Sequence, residues 1–163
     1  MEFTIVPPKG ILQIDDAILI KSYRNFTGAA SKYNREGDRD FSILIPDEET
    51  ANELIANGWN VKIKQPREDG DDPFMYLKVK VKFNDFGPNV YLQSGNRTNV
   101  LDESTIGCLD RLVIQKADID IRPYDWEING KTGRTAYLQG MHVVQGVSAD
   151  RFADRYDRDT LDF

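Results

Sequence analysis

One cysteine, one histidine and no long apolar run are the scarcities of this 163-residue chain. Cys108 alone forms no internal disulfide, and with only His142 beside it no zinc site of histidine and cysteine can be assembled. Such thiol usage fits a reducing cytoplasm, which is the expected location. No stretch approaches the roughly 18 apolar residues that cross a bilayer. The opening MEFTIVPPKG has an acidic second residue and no apolar run of about 7–15 residues, so a signal peptide is not expected. The Asn-x-Thr sequons at Asn25 and Asn96 are then chance matches.

Positive charge is also in deficit. With 21 Lys and Arg against 27 Asp and Glu the formal charge is −6, which excludes bulk attraction to any polyanion or anionic lipid. An anion-binding role must come from how charge is distributed.

Catalytic signals are poor too. GKTGRT at 130–135 holds the Gly-Lys-Thr of a P-loop, but Asp125 stands where its first glycine belongs, and the segment follows a β-turn signal rather than opening a helix. Asp69, Asp71 and Asp72 lack the spacing of a calcium loop, and His142 lies among apolar neighbours without a serine or cysteine motif. No catalytic residue, metal or cofactor is expected.

What the chain does have is period two. Short apolar-alternating segments bounded by Gly, Pro, Asn and Asp predict strands at 10–14, 17–23, 40–45, 59–65, 74–83, 89–93, 112–128 and 134–145. One helix is predicted over 46–57: Asp47 caps, Glu48 and Glu49 suit the positive end of the dipole, Ala51, Leu54 and Ile55 share a face, and Asn57-Gly58 stops it. A weaker helical turn is placed at 102–107. Short strand-to-strand links argue for a mainly β, antiparallel Greek-key barrel, and one helix between middle strands makes that an OB-fold. The domain is expected to span 1–147, with an acid-rich, mobile tail at 148–163.

Four segments carry chemistry. In residues 76–83, Leu77, Val79, Val81 and Phe83 face a core while Tyr76, Lys78, Lys80 and Lys82 face outward. In 59–64, Trp59, Val61 and Ile63 form the apolar set, leaving Lys62 and Lys64 on the solvated face; pairing of the two strands would make their basic faces contiguous. In 119–137, period two puts Arg122, Tyr124 and Trp126 on one side, and Asn129-Gly130 closes a hairpin through Lys131 back onto Arg134 and Tyr137. The alternative, that Tyr124 and Trp126 are core and Pro123 marks a bulge, has equal standing. Finally, Tyr23, Arg24, Lys32, Tyr33 and Arg35 belong to a stretch from Lys21 to Arg35 that contains no acid. Aromatics interleaved with cations are what single-strand binding uses: bases stack on rings while Lys and Arg follow phosphates. The competing reading of residues 76–83 is an ordinary solvated or edge-protecting face, that of Trp59 is a core side chain, and that of 21–35 is a surface loop.

The chain ends Asp157, Arg158, Asp159, Thr160, Leu161, Asp162, Phe163. An acidic peptide closing on a hydrophobic residue can place Phe163 and Leu161 in a partner's apolar pocket while Asp157, Asp159 and Asp162 meet basic residues. A frayed terminus is the plainer alternative.

Residues 23–28 (YRNFTG) with the basic loop to Gly37, 39–46 (RDFSILIP), 58–62 (GWNVK) and 121–131 (IRPYDWEINGK) resemble the OB-fold single-stranded-DNA-binding proteins of tailed bacteriophages and prophages. The resemblance runs over roughly 17–144. It implies a non-enzymatic protein that coats single-stranded DNA in phage replication or recombination, without sequence specificity. The partners implied are single-stranded DNA and replication or recombination proteins reached through the tail, with a homo-oligomer left open and no membrane. The tail departs from the family pattern, because Arg151, Arg155 and Arg158 interrupt its acids. A β-sandwich assembly protein of a virion is the runner-up. What separates the two is whether Lys78, Lys80 and Lys82 gather beside aromatics on one face.

Overall fold

A computed structural model describes residues 1–65, 73–85 and 87–146. Nine strands and one α-helix follow in the order β1 (Glu2–Val6), β2 (Ile11–Asp15), β3 (Arg39–Ile45), α1 (Glu48–Ala56), β4 (Val61–Lys64), β5 (Phe74–Val81), β6 (Asn89–Ser94), β7 (Arg97–Leu101), β8 (Ile114–Ile128) and β9 (Lys131–Gln145). They form one sheet with the path β1-β2-β8-β9-β5-β3; β4 adds to β5, and the β6–β7 hairpin adds to β9. The mainly β, OB-type reading with one α-helix stands.

Two features of the sequence reading need correcting. The sheet is mixed, not purely antiparallel, since β5 and β6 both run parallel to β9. These neighbours are not consecutive in sequence, so the shortness of consecutive links places no constraint on them. The paired path also does not close on itself among the described residues.

The second correction concerns individual elements. Residues 17–23 are not a strand: Leu19 makes one bridge to Ile43, and Lys21–Tyr23 turn into a 3₁₀ helix. β1 and β7 were not expected. β1 does alternate, with Phe3 and Ile5 packing on the core; β7 is polar and buries only Leu101, because it pairs with β6 alone.

The core lies between the inward faces of the strands. Leu12, Ile14, Phe41, Ile43, Leu77, Val79, Ile119 and Ile121 are all at most 1% exposed. Phe26 stacks on Phe41 with ring centroids 4.9 Å apart. Burial of such side chains contributes about 1.5–3 kcal/mol each, which fixes the register and hence the outward faces.

α1 begins as expected: the Thr50 N–H donates to Asp47 Oδ1 at 2.7 Å, and this bond holds the Asp47 carboxyl below its ordinary range. Ala51 and Leu54 are buried, but Ile55 is exposed. Ile63, expected in the core, is exposed as well, because β4 is an edge strand paired only with β5. The weak turn at 102–107 is a turn followed by a 3₁₀ helix over Ile106–Asp110.

Candidate nucleic-acid interface

β5 is the axis of the site. Its inward residues Leu77, Val79 and Val81 are buried while Lys78, Lys80 and, just past its end, Lys82 are exposed, as alternation requires. On one edge β5 meets β3, with Lys80 opposite Asp40 and Tyr76 opposite Leu44. The other edge is shared: β4 places Lys62 opposite Tyr76 and Lys64 opposite Phe74, and β9 then places Tyr137 beside Lys80. β8 extends the surface, with Arg122 opposite Tyr137 and Tyr124 opposite Thr135. The basic faces of the two lysine strands are therefore contiguous.

The aromatic side chains on this surface form two groups. Tyr23 packs against Tyr76 at 5.4 Å and Phe74 at 6.2 Å between centroids. At the other end, Tyr124 meets Tyr137 edge-on at 6.0 Å while the Arg122 guanidinium lies 5.3 Å from the Tyr137 centroid. Such cation–π and edge contacts hold rings in place at modest energy, about 0.5–1 kcal/mol where exposed. Tyr124 is 52% exposed, so it is not core. Trp126 is half-buried further along the hairpin, opposite Gly133. The core assignment that sequence alone left open thus fails for Tyr124.

A loop closes over the lysines. Residues 25–40 form a finger whose base is pinned by Asp110, which accepts from the Phe26 N–H at 2.8 Å and the Thr27 N–H at 3.0 Å. Arg39 Nε donates to the Phe26 carbonyl at 3.0 Å, and Gly37 N–H donates to the Gly28 carbonyl at 2.8 Å. Gly28 is required there: its φ is +72°, and a β-carbon would stand 3.2 Å from the Gly37 backbone. Asn34 Nδ2 reaches the carbonyls of Ala29 and Asp38 at 2.8 and 3.0 Å. The tip presents Tyr33, 89% exposed, with the Lys32 ammonium 5.6 Å from its centroid.

Between finger and sheet lies a cleft of about 600 Å³ lined by Tyr33, Arg35, Asp40, Lys78, Lys80, Lys82 and Tyr137, among others. A smaller hollow of about 250 Å³ shares Lys78 and Lys80 and is bounded by Trp59, Lys62 and Arg134. Cations with an open aromatic ring at hand can neutralise phosphates and stack bases; the larger cleft holds both.

Not every expected cation is available. The Arg24 guanidinium turns inward, with Nη1 donating to the Leu112 carbonyl at 3.0 Å and the Leu109 carbonyl at 3.4 Å. Burial lowers its pKa, against the opposing pull of Asp110. Arg134 is a clamp: Nε and Nη2 bind Asp125 at 2.6 and 3.1 Å, and Nη1 donates to the Asn57 carbonyl at the end of α1 at 2.7 Å. Its guanidinium also lies 5.0 Å from the ring of Trp59, which is buried as expected. Lys131 is exposed at the hairpin end, away from the cleft-lining residues, beside a turn in which Asn129 and Gly130 have φ of 53° and 78°. That turn is the tight type Asn-Gly predicts.

Two residues were overlooked. Phe74 has the same parity as Tyr76 and Lys78, so alternation could have found it. Asp40 lines the main cleft with its Oδ2 3.8 Å from Lys78 Nζ; only the β3–β5 register reveals it. His142 lies elsewhere, in a separate hollow with Tyr91, Asp118 and Asp120. Among the described residues no three potential ligand side chains gather to hold a metal. The GKTGRT segment is a turn and a strand. The acidic loop at 66–72 and the tail residues Asp157, Asp159, Leu161, Asp162 and Phe163 lie outside the described residues.

The family described as "Putative phage ssDNA-binding domain" matches residues 5–160. The chain belongs to this family. No curated protein matches it. Among solved structures, this phage ssDNA-binding domain shares its fold with the single-stranded DNA-binding protein of bacteriophage Enc34 in complex with ssDNA. That match has a TM-score of 0.52 at 15% identity, over 85% of this chain and 88% of that one. A second structure of the Enc34 protein matches at a TM-score of 0.51 and 12% identity, over 96% of this chain and all of that one. At such identities the likeness is one of fold. The ssDNA-binding domain has no described helix long and apolar enough to cross a membrane.

Proposed function

We propose that this phage ssDNA-binding domain holds a single strand along β5, in the cleft between the 25–40 finger and the sheet. It acts there by occupancy rather than by catalysis, in phage-type replication or recombination in the host cytoplasm. Lys62, Lys78, Lys80, Lys82, Arg35 and Arg122 neutralise phosphates, with Lys32 and Lys64 at the margins. Tyr33, Tyr137, Tyr124 and Trp126 offer ring faces to bases, and Tyr23 with Tyr76 and Phe74 forms a platform at the far end. Ring stacking is tolerant of sequence because every base has a π-face.

The observation that carries this reading is the gathering of Lys78, Lys80 and Lys82 with Tyr33 and Tyr137 in one cleft. It also separates the reading from virion assembly, which has no use for such a lining. Titration of an oligo-dT by tryptophan fluorescence at low and moderate salt tests it. Each phosphate contact adds about −0.7 to the log–log salt slope, so four contacts give roughly −3. Absence of quenching at micromolar protein, or equal affinity for duplex, overturns the proposal. Recruitment of protein partners through residues 157–163 is the remaining part, read by pull-down with the tail deleted.

A further inference from the structure

A carboxylate stands inside the cation cleft. Asp40 on β3 is directly opposite Lys80 in register, and its Oδ2 is 3.8 Å from the ammonium of Lys78. Its side chain is 21% exposed while that of Lys78 is 43% exposed. Lys78 therefore already has an anionic partner where a phosphate would have to sit. We propose that Asp40 is an internal competitor that sets the affinity of the site: a phosphate engages Lys78 and Lys80 only by displacing or neutralising the Asp40 charge. The inference rests on the reading of the cleft as an ssDNA site.

The surroundings favour neutralisation. Burial raises the Asp40 carboxyl above its ordinary value and nearby Asp38 adds to that, while Lys78 and Lys80 from β5 oppose it. The other charges lining the cleft are Lys82, just past the end of β5, Arg35, which faces Asp38 at 3.7 Å, and Arg39, which faces Glu103 at 3.4 Å. Across the cleft β9 contributes the ring of Tyr137. A phosphate drawing off the lysines adds negative charge beside a carboxyl whose protonated form burial already favours. Strand binding then takes up a proton, and affinity rises as pH falls. At neutral pH the same carboxylate weakens every phosphate contact to this lysine pair and leaves stacking untouched, so a bound strand remains releasable.

Asp40→Asn tests the idea directly on an oligo-dT. At pH 7.5 it is expected to bind about 1.5- to fivefold tighter than the natural protein, the scale of one freed surface ion pair. Its salt slope should steepen by about 0.7, one added phosphate contact. In a Lys78→Ala background the gain should shrink, because only Lys80 is then left for the competitor to hold. The natural protein should tighten between pH 7.5 and pH 5 and Asp40→Asn should not; His142→Gln, outside the cleft, keeps the natural pH profile. Unchanged affinity and slope in a folded Asp40→Asn protein overturn the inference, as does a gain that is undiminished without Lys78. If Asp40→Asn does not fold, a flat pH profile in His142→Gln overturns it alone. Failure of the natural protein to bind oligo-dT at low salt removes the ssDNA reading itself, which these outcomes otherwise leave standing.

Discussion

Trp126 occupies the space that a side chain on Gly133 would need. The two are cross-strand partners in the β8–β9 hairpin, and a β-carbon on Gly133 would overlap Trp126 Cζ2 and stand 2.7 Å from Cε2. The glycine here is a seat for the ring, an aromatic covering a cross-strand glycine.

Gly133→Ala is therefore expected to lift Trp126 from its seat with little effect on the core. The protein has two tryptophans, and Trp59 is only 2% exposed. Quenching by a bound strand should thus come from Trp126, and Trp59→Phe should retain it. Gly133→Ala should shift emission to the red and weaken oligo-dT binding by about threefold to tenfold, part of the 1–3 kcal/mol that one stacked base supplies. Emission and affinity like those of the natural protein would show that the ring is neither held by Gly133 nor used.

Much of this surface is written in the sequence, because period two dictates which side chains point outward once the core residues are fixed. Lys78, Lys80, Arg122 and Tyr124 were legible for that reason, and so was the Asn129-Gly130 turn. Long-range contacts were not. Nothing local tells that Asp110 pins the finger at Phe26 and Thr27, or that the parallel β5–β9 pairing sets Tyr137 beside Lys80. Arg24 and Arg134 read as free cations because their carbonyl and carboxylate partners are tens of residues away or across a hairpin. Asp40 escaped notice because an acid in a basic cleft runs against the composition argument that led to the cleft.

The contrast between Lys80 and Arg134 separates phosphate contact from scaffold. Lys80→Ala should lower affinity and reduce the salt slope by about 0.7, with melting nearly unchanged. Arg134→Ala should do the reverse. It removes a forked ion pair, a bond to the end of α1 and a cation–π contact to Trp59. Asp125 is 66% exposed, so solvent screens its share; an overall cost of about 1–3 kcal/mol lowers the melting temperature by about 2–9 °C in a chain of this size. Arg134→Lys should rescue little, since an ammonium cannot make the fork. A fall in salt slope for Arg134→Ala at unchanged stability would make it a phosphate ligand after all.

Tyr33 offers the cleanest test of stacking, for its ring is open to solvent. At 89% exposed on the finger tip it makes no core contact, and its loop is held by Asn34 and Asp110 instead. Tyr33→Ala should leave the melting curve in place and weaken oligo-dT binding about fivefold to 150-fold, the range of one lost base–ring stack. Tyr33→Phe should bind normally, because the ring and not the hydroxyl does the stacking. Equal loss in both variants would point to the hydroxyl, and no loss in either would remove Tyr33 from the site.

Cys108 reports on the anchor beneath the finger. It sits in the 3₁₀ segment Ile106–Asp110, 1% exposed, two residues before the Asp110 carboxylate that holds Phe26 and Thr27. Burial, with the Asp110 charge second, pushes the thiol up to about 11. The reactive thiolate is thus scarce at pH 8 in the native protein, whereas an unfolded cysteine near 8.5 is substantially ionised. A thiol reagent should label the folded protein slowly and label it fully, at one thiol per chain, in denaturant. Asp110→Asn weakens the anchor by turning a two-acceptor carboxylate into an amide with one acceptor oxygen, so it should speed native labelling and weaken oligo-dT binding together. Faster labelling with unchanged binding would mean that the finger keeps its place without Asp110, and that the cleft does not depend on this anchor.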